Sequence, residues 1–198
     1  MAKIAVDVVL LPPPEIMDLC IEINCEANKK TPLKALLGLD HTIPHMTLLM
    51  GVLSTDNLEK AVAQLANLAK EFSRVEVSLD HVGAYGGLNA VRTPEMQRLH
   101  ETVIDRISPL FTRDVTPDMF VPHPAGEVPI KHLDYLNEFV THHSYEHFLP
   151  HITLHTTDIG SSQLPIDFTA DRLALSHNGN YNTCQKILFE YRLTGNRD

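Results

Sequence analysis

HTIPHMTL occupies residues 41–48 and HFLPHITL residues 147–154, so the chain writes one eight-residue phrase twice, with His45 and His151 standing 106 positions apart. The copies agree at His, Pro, His, Thr and Leu. Pro44 and Pro150 oppose a helix running through into His45 and His151. Each phrase is therefore expected to open a strand just after its proline. In a strand, residues i and i+2 share a face. His45 and Thr47 then project one way, while Met46 and Leu48 turn toward a core. His151 and Thr153, against Ile152 and Leu154, repeat that division.

If the two halves face one another, two imidazoles and two hydroxyls line one cleft. Histidines of ordinary pKa about 6.5 suit a general base and a general acid working at opposite ends of a substrate. Threonine hydroxyls can donate to the oxygens of a phosphoryl group. In-line displacement at phosphorus needs a proton removed from the attacking oxygen and one delivered to the leaving oxygen, which is the symmetry of the repeat. A lone His beside Thr in a strand is ordinarily a satisfied structural pair; the repetition weighs against that reading here. Metal binding is the other alternative. The chain has 12 histidines, and His41/His45 and His147/His151 have the i, i+4 spacing of a helical zinc pair. A proline directly before the second ligand opposes such a helix, and the glutamate of an HExxH motif is absent. His142, His143 and His147 in THHSYEH read as a solvated helix end rather than a metal tract.

Working outward, residues 3–11 read as a buried strand stopped by Pro12, Pro13 and Pro14, and residues 15–29 as a helix. Asp56 and Glu59 suggest a capping box for a second helix, with Leu58, Ala61, Val62, Leu65, Leu68, Ala69 and Phe72 at helical spacing. RVEVSLDHVGAY (74–85) alternates as a strand, Gly86-Gly87 turns into LNAVR, and Thr93-Pro94 starts a helix with Met96, Leu99, Val103, Ile107 and Leu110 on its apolar stripe. Residues 112–130 hold four prolines and read as a long loop. A short helix over 131–141 precedes the second phrase. DRLALSH, a turn at Asn178-Gly179-Asn180 and TCQKILFEYRL close the chain as a hairpin. Hairpin links between strands make this an α+β pattern.

With 198 residues, 43% hydrophobic and 21% charged, the composition is that of a globular protein expected to form one domain of two lobes. The net charge of −9 opposes a long nucleic-acid track, which needs a basic surface. Cys20, Cys25 and Cys184 form no CxxC pair and are expected as reduced thiols in a cytoplasmic protein. KIAVDVVLLPPP carries Asp7 and lacks a small-residue cleavage site, so it reads as a first strand rather than a signal peptide. No apolar run reaches the roughly 20 residues that span a bilayer.

Two H-x-T-L motifs about 100 residues apart, with a hairpin-containing segment between them, resemble the 2H phosphoesterase superfamily. Its best-known branch contains the 2'-5' RNA ligase-like proteins and cyclic nucleotide phosphodiesterases. VEVSLDHVGAYGGLNAVRTPEMQRLHETV and the closing LALSHNGN…KILFEYRL extend the resemblance to about three quarters of the chain. It implies a bilobal α+β fold with pseudo-twofold symmetry, two antiparallel sheets lining a central cleft and helices packed outside. His45 and His151 would be the acid/base pair, Thr47 and Thr153 the phosphate-holding hydroxyls, and no metal or cofactor would be needed. The implied substrates are 2',3'-cyclic phosphates or 2'-5' linkages of nucleotides or RNA ends, with ligation as the reverse reaction. A monomer without membrane association is expected. The first motif, HMTLLMG, departs from the ligase branch by lacking an extra residue and an aromatic before its glycine, which leaves the branch open. His155 is expected as a spectator on the cleft face. The competing functions are a non-catalytic nucleotide-binding module of the same fold and a His-rich metalloprotein.

Overall fold

From Ala5 to Leu11 every residue of the first strand is buried, because that strand runs through the middle of the sheet with a neighbour on each edge. The computed structural model describes residues 2–112, 114–122 and 128–196. In chain order they form β1 (Lys3–Leu11), α1 (Pro14–Lys30), β2 (Met46–Ser54), α2 (Thr55–Glu71), β3 (Val75–Gly83), β4 (Gly87–Ala90), α3 (Pro94–Ile107), β5 (Phe111–Thr112), α4 (Ile130–His142), β6 (His151–Thr153), β7 (Ile166–Ala170), β8 (Arg172–Gly179) and β9 (Thr183–Arg192). The order across the sheet is β7-β3-β4-β6-β2-β1-β8-β9, with short β5 also pairing with β2. Every pairing is antiparallel.

The α+β fold divides into two lobes as expected, β2-β1-β8-β9 and β6-β4-β3-β7. The two antiparallel halves are nonetheless hydrogen-bonded into one sheet. The join is a single residue pair, Met46 opposite Ile152. These are the central residues of the two H-x-T motifs, so the local twofold falls on the repeated phrase.

Helices α2 and α3 pack on each other and on β2, and α4 lies against β2 as well. Leu65, Leu68, Leu99, Val103 and Ile104 meet Leu49, Leu53 and Leu79 in the main core, all almost fully buried. Thr93 caps α3 as its sequence suggests, its Oγ1 accepting from the Met96 amide at 3.2 Å. The capping box at Asp56 does not form. Ser54 holds the cap position and the Thr55 amide bonds to the Ala2 carbonyl, so a tertiary contact starts α2 earlier than its local chemistry suggests. Strand β7 has no counterpart among the elements expected from the sequence, and the closing turn sits at Asn180–Asn182, later than expected. Within the expected loop 112–130, Pro117–Met119 forms a 3₁₀ turn; residues 113 and 123–127 lie outside the described residues. No helix among the described residues is long and apolar enough to cross a membrane, and all three cysteines are free.

His100 of α3 ties the two copies of the phrase together. Its Nδ1 meets the Leu48 carbonyl at 2.8 Å, its Nε2 accepts from the Tyr145 amide at 3.0 Å, and its ring stacks on Phe148 at 3.8 Å between centroids. Both nitrogens are used only if the ring is neutral with its proton on Nδ1. Burial accordingly pulls its pKa down to about 4.

Candidate active site

The Met46–Ile152 pairing decides where the four motif side chains go. In that register His45 stands across from Thr153, and Thr47 across from His151. Met46 and Ile152 are buried in the core, so alternation sends His45, Thr47, His151 and Thr153 to the opposite face together. The two histidines are diagonal neighbours, a relation that places such residues about 7–8 Å apart, with their Cβ atoms somewhat closer. All four residues singled out from the sequence therefore converge on one face.

Each motif orients its histidine in the same way. His45 Nδ1 lies 2.7 Å from the Ile43 carbonyl, and His151 Nδ1 lies 2.8 Å from the Leu149 carbonyl. A carbonyl only accepts, so Nδ1 carries the proton in both rings and Nε2 is left without it. The intervening proline makes this possible. It fixes its own φ, has no amide hydrogen to compete, and favours an extended residue before it. The acceptor carbonyls are anchored in turn. The Ile43 amide bonds to the Cys184 carbonyl at 2.9 Å, and Arg92 holds the Glu146 and Phe148 carbonyls just before Leu149. Buried Asn24 bonds to Ala35, Leu37 and Leu154, fastening the loop before the first motif to the end of the second.

Three further side chains stand at this face that the repeated phrase does not announce. Asp7 of β1 is fully buried; its Oδ2 accepts from Thr47 Oγ1 at 2.8 Å and stands 3.4 Å from His45 Nε2. Burial raises its pKa, and the contacts with His45 and Thr47 only partly offset this. Asn89 of β4 is the register partner of His151. It accepts from the Tyr85 hydroxyl and donates to His81 Nε2 at 2.9 Å. The Tyr85 and His151 rings meet in a T-shaped contact, 4.9 Å between centroids. In the sequence, Asp7 is visible as the lone charge in IAVDVVLLPPP, but nothing there shows what it faces. Gly87, opposite Thr153, keeps that approach open, since a Cβ on it would lie 2.9 Å from the Ile152 carbonyl.

The second motif differs in its surroundings. Burial and the neighbouring His45 lower the pKa of His151. No hydrogen bond engages the Thr153 hydroxyl among the described residues. Strand β6 ends at Thr153, and His155 adopts a positive φ of 58° rather than continuing it. His155 still lies close enough to His45 and Lys34 for them to add to the burial that pulls it down to about 4. The first histidine of each phrase stays out of the site. His41 is exposed beside Asp40 and His147 is exposed near Glu146, and neither His41/His45 nor His147/His151 shares a helix.

A face with two imidazoles presenting Nε2, flanked by hydroxyls, is equipped for proton transfer around an anion. The sequence comparisons agree with this architecture. Residues 36–182 match the model of the 2'-5' RNA ligase superfamily, and the chain belongs to that superfamily. Among solved structures, the fold is shared with TT0787 of Thermus thermophilus (TM-score 0.62, 12% identity, 98% of this chain and 100% of that one). It is also shared with E. coli LigT complexed with 3'-AMP (TM-score 0.58, 13% identity, 98% and 99% covered). A structure described as a phosphoesterase matches with TM-score 0.51 at 13% identity, covering 96% and 98%. No curated protein sequence matches the chain.

Proposed function

We propose that this protein is a phosphoesterase that opens 2',3'-cyclic phosphates or cleaves 2'-5' phosphodiester bonds of nucleotides or RNA ends. His45 and His151 serve as the acid/base pair, no metal ion takes part, and ligation is the reverse reaction. The observation that supports this reading is the matched restraint of both Nδ1 atoms on two histidines that are diagonal neighbours across the sheet, which leaves both Nε2 atoms free of the proton. One imidazole takes a proton from the attacking oxygen, and the other protonates the ribose oxygen that leaves. Thr153 donates a hydrogen bond to a phosphoryl oxygen that gains charge on the way. In reverse, the strained cyclic ester supplies the activation, so joining a 5'-hydroxyl consumes no nucleotide triphosphate. LigT, whose fold is shared, has been crystallised with 3'-AMP and with phosphate. The net charge of −9 favours a nucleotide or a short end over an extended polyanion.

The test is hydrolysis of 2',3'-cyclic nucleotides with a chelator present. Turnover is expected to persist. Activity that vanishes in chelator and returns with zinc would reject the two-histidine reading in favour of a metallohydrolase. Tight binding without product across a panel of cyclic phosphates would leave a binding module.

A further inference from the structure

Among the described residues, the sheet sets one fully buried carboxylate against the first motif and none against the second. Asp7 pairs in register with Met50 of β2 and Ser176 of β8. Its Oδ2 meets both Thr47 Oγ1 and His45 Nε2, while its Oδ1 has no hydrogen-bond partner among the described residues. An ionised carboxylate in such a place costs several kcal/mol unless a positive charge or a proton accompanies it.

The surrounding groups offer neither. Cys184 of β9 and Tyr135 of α4 are both pushed up to about 12 by burial, helped by the charge of Asp7, and hold their own protons at pH 7. Burial lowers His151 of β6 and, just beyond it, His155, so both are neutral there. Lys34 is exposed on the loop after α1, on the His155 and His132 side. The Ser176 hydroxyl on β8 carries no charge. Thr47 gives Asp7 a hydrogen bond but not a proton. His45 is the remaining partner, at 3.4 Å.

We propose that Asp7 is a positioning residue that holds one proton jointly with His45, on the nitrogen that faces the substrate, so that His45 enters the hydrolytic reaction as proton donor and His151 as acceptor. The role assignment rests on the phosphoesterase reading above; the shared proton does not. This differs from a Ser-His-Asp triad, where the carboxylate holds the nitrogen remote from the chemistry. Here the Ile43 carbonyl takes that remote nitrogen and Asp7 stands beside the reactive one. In the forward step His151 Nε2 removes a proton from water as the water oxygen bonds to phosphorus. The ring P–O bond breaks, its electron pair goes to the ribose oxygen, and that oxygen takes the proton from His45 Nε2. His151 then returns its proton to solvent and the Asp7–His45 pair takes one up, which closes the cycle. Because the single Thr47 proton is committed to Asp7, Thr153 is the hydroxyl available to the phosphoryl group.

The wild-type protein gives the first measurement. Carboxyl ¹³C and imidazole ¹⁵N resonances at pH 7.5 are expected to show one proton on the Asp7–His45 pair and a bare Nε2 on His151. An ionised Asp7 beside a bare His45 Nε2 would overturn the proposal, whether or not the protein turns over any substrate. The second measurement uses D7N. The basic limb of kcat/KM for a 2',3'-cyclic nucleotide should move to lower pH, while KM stays near the wild-type value. A basic limb that does not move in folded D7N would also overturn the proposal. If no cyclic phosphate is hydrolysed, the functional reading fails and the spectra still decide the proton; if D7N does not fold, the wild-type spectra decide it.

Discussion

His45 and His151 are held by the same hydrogen bond, from Nδ1 to the carbonyl two residues upstream, yet what lies beyond each ring differs. Beyond His45 are a buried carboxylate and a threonine whose hydroxyl already has a partner. Beyond His151 are an aromatic ring and a threonine whose hydroxyl has no partner among the described residues. The repeat supplies a symmetric frame, and β1 on one side and β4 on the other make it asymmetric. Proton transfer in one direction needs such a difference, since the acid and the base must begin in opposite protonation states.

The largest effect should come from erasing either ring. His45→Ala and His151→Ala are each expected to lower kcat on a 2',3'-cyclic nucleotide by about 10²–10⁴-fold with the melting transition preserved. The double variant should fall little below the worse single one, because a concerted pair fails when either member is lost. Full turnover in both single variants would remove the histidines from the mechanism.

A second comparison concerns what joins the copies. Neutral His100 bridges Leu48 of the first phrase and the segment leading into the second. Its folded-state pKa lies below the unfolded value, so its stabilising effect is complete above about pH 6.5 and is lost as pH falls toward 4 and below. The loss amounts to roughly 3 kcal/mol at most. His155, also lowered to about 4, adds to it in the same window, whereas Asp7, whose pKa is raised, opposes it. Denaturant titrations from pH 7 to pH 4 should show the decline, and His100→Gln should flatten it while lowering stability at pH 7. A wild-type stability that stays level over that range would contradict the bridging role.

The two threonines separate rate from stability. Thr153→Val is expected to cost about 10-fold or more in kcat with a normal melting temperature, since it removes a donor to a charged oxygen. Thr47→Val should instead destabilise the fold by about 1–3 kcal/mol, because it strips a hydrogen-bond donor from a buried carboxylate. Equal losses of rate in both variants, with equal melting temperatures, would mean that the hydroxyls are interchangeable after all.

Much of this is legible locally, and what is not is nonlocal. Thr93-Pro94 marks the start of α3 through chemistry confined to four residues, and the phrase marks its own strands through Pro44 and Pro150. The adjacency of Met46 and Ile152 depends on a register between strands that are far apart in sequence, which no window reveals. Asp7 illustrates the same limit: a lone acid in an apolar strand is visible, but its meeting with His45 requires β1 to lie beside β2. Strand β7 leaves no clear mark in the sequence because it is an edge strand with little alternation in burial. The cap of α2 departs from its local signal because Ala2 reaches the Thr55 amide.

The smallest effect tests whether the second motif needs its aromatic wall. Tyr85 is 49% exposed, yet its ring makes a T-shaped contact with His151 and its hydroxyl donates to Asn89 Oδ1. Asn89 is buried and passes the restraint to His81, which leans on Asp80. Tyr85→Phe keeps the ring and removes the hydroxyl. Water can reach so exposed a position and replace the donor, so the cost should be about 1 kcal/mol, or about 2–4 °C in melting temperature. Turnover should stay within about threefold. Tyr85→Leu removes the aromatic contact with His151, worth about 0.5–1.5 kcal/mol. Its kcat should fall further than that of Tyr85→Phe, by about 10-fold at most, with the acid limb of the pH profile moving while the basic limb stays in place. If both limbs moved together, Tyr85 would be acting on the whole cleft, and the second histidine would not be the one it selects.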